Sequence, residues 1–307
     1  MTSMRNLFNE RTHKYISILI VTFGAFFGFE AVSYAIGIYQ LNSSLYLSLY
    51  IYAFHIFWLT FLFDLHFKKR GVLAIARLNH QGLKMFWEAF KDRIAHVRKW
   101  EYFRHYQNYL VLPGVLYWGV VVLLFLNPFK YGLKQMIILS GTFAMSVAYW
   151  YMKEHISRQL EHQASWIKVL AMVKLFAAFL IYSALLGVTL RYGFEAWFLV
   201  AATLTITFLL VYQALFQHRL LTFDTFLWVV IIAFVVGLVS IWVYSHWNTQ
   251  YFTGGLVMLA VYNTLWGLLH HYLEHTLSRK IVFEYLLMMI FIISFLLASH
   301  NFNQKVI

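Results

Sequence analysis

The segment Trp266–Lys280 reads WGLLHHYLEHTLSRK, with three histidines and a glutamate inside six residues at the end of a long apolar run. On a helix His271 and His275 stand four residues apart and share a face, and so do His270 and Glu274. Two imidazoles at that spacing are the geometry that chelates one metal ion. A pair cannot fill a coordination shell, so this reading requires ligands from other helices.

Such residues recur at the ends of other apolar stretches. One ends FDLHF with Asp64 and His66, and another ends KEHISRQLEH with Glu154, His155, Glu161 and His162. A third ends FQHRLL with His218. In KEHISRQLEH the Glu-His dipeptide repeats after seven residues, or two helical turns, which puts His155 and His162 on one side. The expected metal ligands are therefore His66, His155, His162, His218, His270, His271 and His275. Glu161 and Glu274 would act as a bridging ligand or base. With no cysteine in the chain, imidazole and carboxylate donors suit iron(II) best, with zinc the alternative. A plainer reading competes: the histidine ring is amphipathic and favours interfaces, and helix C-termini favour positive charge.

In type and location this clustering resembles the histidine-ringed iron pair of membrane desaturases and hydroxylases. The resemblance implies oxygen-dependent chemistry on a lipid, fatty-acyl or isoprenoid substrate. It does not extend to the family's boxes, since HHYLEH approaches one only in reversed order and HISRQLEH is spaced too widely. A second class is a zinc hydrolase of membrane lipids, holding one metal-bound water on three histidines such as His66, His271 and His275. A third is a non-enzymatic transporter or a structural subunit of a membrane complex.

The elements that must position these residues are legible in composition. Hydrophobic residues make up 62% of the 307 and charged residues only 12%, against roughly a quarter charged in an ordinary soluble domain. Such a chain needs lipid as its solvent. The expected fold is an all-α polytopic bundle forming one domain over 1–307. Nine apolar stretches of spanning length lie near Tyr15–Tyr39, Leu45–Phe67, Tyr109–Leu126, Leu133–Met152, Trp166–Leu190, Phe194–Phe216, Thr225–Tyr244, Phe252–His271 and Ile281–Ser299. Of the 24 Lys and Arg residues, 19 fall on the side of the N-terminus, four on the other side, and Lys174 inside a span. By the positive-inside rule the N-terminus is cytoplasmic and the C-terminus outside. The histidine-rich helix ends then share the cytoplasmic side.

The one long connection, 68–107, carries Leu83, Phe86, Phe90, Ile94 and Val97 at steps of three and four, with Lys84, Lys91, Asp92 and Lys99 between them. This pattern describes a basic amphipathic helix on the inner membrane surface, with anionic lipid as its partner. The formal charge of +12 is explained by loops facing such lipid, and nucleic acid is not expected as a partner. The chain lacks a Walker loop, a dinucleotide glycine fingerprint, a Gly-x-Ser-x-Gly elbow and a His-Glu-x-x-His, so nucleotide, serine and zincin-type protease chemistry have no support. Four further ionisable groups fall within spans. Glu284, about one turn into the last helix, could face the histidines of the one before. Lys174 is shallow enough to snorkel to the inner interface or to pair with Glu154. Glu30 and His55 would form a buried polar pair if adjacent, able to hold a substrate head group or relay protons.

Overall fold

A computed structural model describes residues 2–38, 41–65, 100–126, 131–158, 164–217, 220–247 and 250–299, with single positions at 84, 87, 88 and 91. Side chains are described at these positions except 2–14, 16–17, 41, 56–65, 100–109, 131, 152–158, 164–167 and 216–217. The described residues form nine α-helices: α1 Thr2–Ile38, α2 Leu41–Leu65, α3 Trp100–Leu126, α4 Tyr131–Arg158, α5 Ala164–Tyr192, α6 Ala196–Gln217, α7 Phe223–His246, α8 Tyr251–Leu273 and α9 Arg279–Ser299. Six of them contain segments long and apolar enough to cross a membrane. The protein is thus an all-helical chain with the composition and element lengths of a multi-pass membrane protein. Helices suit lipid because each satisfies its own backbone hydrogen bonds.

Two compact units emerge, one formed by Met1–Gly114 with Tyr131–Leu170, the other by Val115–Lys130 with Ala171–Ile307. In the first, α1 packs on both α2 and α4. Thr22 Oγ1 and Ser146 Oγ share a hydrogen bond of 2.7 Å, and the Tyr15 and Trp150 rings meet edge-on at 5.8 Å. Pro113 lies inside α3, where its missing N–H leaves a carbonyl one turn back without its helical donor.

Of the expected interfacial segment 68–107, Lys84, Trp87, Glu88 and Lys91 are described, all helical and exposed. The Lys91 ammonium stands 5.8 Å from the Trp87 ring one turn away, an attractive cation–π arrangement. Residues 100–107 belong to α3 rather than to that segment. The remainder of 68–99 lies outside the described residues.

In the second unit α6 and α7 form a hairpin, α7 packs on α8, and α8 packs on α9. Thr222 starts α7 with a capping box, its backbone N–H bonded to Thr225 Oγ1 at 2.7 Å and its hydroxyl receiving the Thr225 N–H at 3.3 Å. Helices α5 and α8 run antiparallel and in very close approach. A Cβ on Gly255 would stand 2.9 Å from both Ser183 Cα and Ser183 N. In lipid, where apolar burial no longer drives helices together, such small-residue contacts supply the packing energy. The Tyr182 and Tyr262 rings meet at 6.1 Å, and the Tyr182 hydroxyl shares a 2.7 Å hydrogen bond with Thr207 of α6. The Gly255–Ser183 approach sets the α5–α8 register, and the tyrosine side chains reach across it. α9 is different in kind, with only 6% of its apolar window buried against 39–61% in the other five.

Candidate functional site

Several ionisable groups of the second unit lie at the C-terminal end of α8. That helix does not run through HHYLEH. It stops at Leu273, with Glu274 as C-cap and His275 in the left-handed region at φ 56°. The His275 N–H donates to the Tyr272 carbonyl at 3.1 Å and the Thr276 N–H to the His271 carbonyl at 2.9 Å. This pair of bonds is a Schellman motif, with histidine at the position glycine usually takes. His275 has therefore turned off the helix and does not share a helical face with His271. The premise of the His271–His275 chelate is overturned by the local backbone.

Within the last turn, His270 and Glu274 do meet as their spacing predicts, with Nε2 3.3 Å from Oε1. The His270 ring stacks on Trp266 at 5.7 Å and 26°, which holds its plane. His271 Nδ1 lies 2.8 Å from Thr276 Oγ1, and that hydroxyl donates to the His271 carbonyl at 3.3 Å. Which of Nδ1 and the hydroxyl donates across the 2.8 Å contact follows from the ring's tautomer. The His270 and His271 rings are 5.9 Å apart.

Two further residues belong to this region, Tyr285, which the pattern did not single out, and Lys174, which it did. Tyr285 of α9 lies flat against the helix at Gly267, where a Cβ would come within 2.7 Å of its hydroxyl. Its ring also meets His271 edge-on at 5.9 Å. Glu284, expected to face the histidines, instead lies on the exposed side of α9, 3.8 Å from Lys280. Successive helical positions differ by about 100°, so the site takes Tyr285 and not its neighbour. The second residue is Lys174. It does not snorkel outward but is buried, only 6% exposed, and it lies within electrostatic range of His270. The closest backbone approach, Gly255 against Ser183, puts Thr264 rather than His270 at the level of Lys174, so the His270 backbone lies about 9 Å of helix rise beyond it.

Elsewhere, His55 is buried in the first unit with Nε2 3.3 Å from the Tyr149 hydroxyl and the rings at 5.7 Å. Glu30 is not opposite it. Gly28 meets Ile51, and counting antiparallel from that contact places Gly24 at the level of His55. His66, Glu161, His162 and His218 lie outside the described residues, as do the side chains of Glu154 and His155. Among the described residues no group of three or more His, Asp or Glu is arranged to hold a metal ion.

An imidazole–carboxylate couple next to a second imidazole can move a proton. Searches among curated proteins and among solved structures return no match. A family described as proteins of unknown function, DUF5656, matches residues 80–299, well over half the chain. That span includes Lys174, His270, His271, Glu274 and Tyr285, and excludes Glu30, His55 and His66. The chain belongs to the DUF5656 family.

Proposed function

We propose that this protein crosses the membrane nine times, N-terminus cytoplasmic and C-terminus outside. In this reading the site at the end of α8 acts at the cytoplasmic surface on an amphipathic, lipid-like molecule. The 19-to-4 distribution of Lys and Arg supports the orientation. The observation that carries the activity is the His270–Glu274 couple at 3.3 Å, at the end of an otherwise apolar helix. A carboxylate bonded to an imidazole orients the ring and stabilises its protonated form, as a general acid–base group requires. Ionisable groups inside membrane helices are costly and are retained where they serve a pathway or a site.

A comparison of total membrane lipids from cells with and without the chain tests this. The expected result is that wild type depletes one lipid class and accumulates its product. His270→Asn and Glu274→Gln should insert normally and leave the pool unchanged. A lipid profile identical with and without the wild-type chain overturns the proposal.

The metal-dependent reading with iron or zinc draws on one observation, the contact of His271 Nδ1 with Thr276 Oγ1 at 2.8 Å. A ring nitrogen held by an oxygen is how a protein orients a histidine for a metal at its other nitrogen. Stoichiometric iron or zinc in the gently purified protein, lost in His271→Ala, would favour it. Zinc without oxygen dependence would then separate the hydrolase from the oxygenase.

A further inference from the structure

Helix α9 is held to the second unit in a different way from its neighbours. Close glycine contacts pin α5, α8 and α7 together: a Cβ on Gly255 would stand 2.9 Å from Ser183 Cα, and one on Gly254 2.9 Å from Val243 Cγ1. Helix α9 packs on α8, but only 6% of its apolar window is buried, and Leu296 is its one buried residue. The close contact between these two helices is a side chain in a notch. The Tyr285 ring lies over Gly267, where a Cβ would come within 2.7 Å of the hydroxyl, and its centre stands 5.9 Å from that of the His271 ring. Parting two such helices costs little in a membrane. In water it would expose both apolar faces at about 25 cal/mol per Å². In lipid the tails that move in are as apolar as the side chains they replace, so packing and interhelical hydrogen bonds carry the association. Elements with few buried contacts open first, and the lids of binding sites are drawn from them.

We infer that α9 is a lateral gate over the end of α8, with Tyr285 as its latch. In the closed form, which the structure shows, the ring covers Gly267 and flanks His271. Pivoting of α9 about the turn 274–278 carries the ring off α8 and opens that face to the bilayer. Gly267 lies about one turn before His270 and His271. An apolar chain that takes the place of the Tyr285 ring therefore brings its polar end to the His270–Glu274 couple. The substrate then arrives sideways from the lipid, not from water, which suits a molecule whose larger part is hydrocarbon. The gate rests on the proposed lipid-directed site for its purpose, while the movement of α9 is measurable without turnover.

The test is pulsed dipolar spectroscopy of the full-length protein in nanodiscs. The chain has no cysteine, so introduced cysteines carry the only spin labels. Labels at Ile290→Cys on α9 and Val230→Cys on α7 report the gate, and labels at Met172→Cys on α5 and Val230→Cys report the pinned helices; all three positions are exposed. The expected α9–α7 distance distribution is at least twice as wide as the α5–α7 one. Tyr285→Ala should shift the α9–α7 distribution and leave the α5–α7 distribution in place. Gly267→Val, which fills the notch from the other side, should do the same. Tyr285→Phe should behave as the parent pair does, because the ring and not the hydroxyl fills the notch. An α9–α7 distribution as narrow as the α5–α7 one, and unmoved by Tyr285→Ala and Gly267→Val, overturns the gate. A mobile α9 in a protein that leaves the lipid profile unchanged would keep the gate and remove the proposed activity. A fixed α9 with normal depletion of a lipid class would do the reverse.

Discussion

Replacing His275 by glycine should stabilise the protein, although the residue lies in the middle of the densest histidine cluster. The reason is its backbone. At φ 56° an L-residue with a Cβ pays about 1–2 kcal/mol relative to ordinary helical conformations. Glycine removes that strain but brings about 0.4–1 kcal/mol of extra conformational entropy to the unfolded chain. The difference predicts a net gain of about 0.5–1 kcal/mol for His275→Gly. The two backbone bonds of the motif, at 3.1 and 2.9 Å, are untouched by the change. His275→Ala is the matched control, keeping the Cβ and losing the imidazole, and should lie within about 0.5 kcal/mol of wild type, as exposed substitutions do. Equilibrium unfolding in mixed micelles measures both. A His275→Gly protein less stable than wild type by more than about 0.5 kcal/mol would show the ring bound to something, and would refute the assignment of His275 as a helix stop. A metal chelate would give the opposite pattern, with both variants losing metal and stability together.

Other expectations follow from the packing and the charge distribution. Gly255→Val should cost about 1–3 kcal/mol, the usual penalty for overpacking, because any side chain there meets Ser183; micellar unfolding measures the loss, and an unchanged midpoint would show that α5 and α8 do not approach so closely. A reporter fused after Ile307 should read as extracytoplasmic, and a cytoplasmic reading would remove one of the nine spans. A peptide covering Gly82–Arg104 should become helical on anionic vesicles and detach in high salt, since its charge attraction is screened; random coil on those vesicles would reject the surface-helix reading.

The helices were largely legible because roughly 20-residue apolar runs announce themselves: each of the nine described helices overlaps an expected stretch, and six of them are long and apolar enough to cross a membrane. Their polar extensions were not legible. Trp100 and Phe103 look like the end of an amphipathic segment, yet they begin α3, because helix continuity costs nothing beyond the apolar run. At the site, the pairing of His270 with Glu274 followed from spacing alone. The stop after Leu273 did not, since the residue taking the left-handed position is histidine where glycine would have flagged it. Lys174 was misjudged for another reason. Hydropathy records how deep a lysine lies in a helix but not which face it occupies. The face became evident only from the burial of Lys174, 6% exposed. The choice between Glu284 and Tyr285 is the same problem, one residue and about 100° apart.

Photolabelling tests the central claim, that the end of α8 holds an amphipathic ligand, most directly. A phospholipid carrying a photoactivatable group close to its head would be incorporated with the full-length protein in nanodiscs, crosslinked and mapped by peptide mass spectrometry. The account predicts saturable labelling of peptides from 266–285, competed by unlabelled phospholipid. Labelling spread without saturation over the outward faces of α7 and α9 would contradict it.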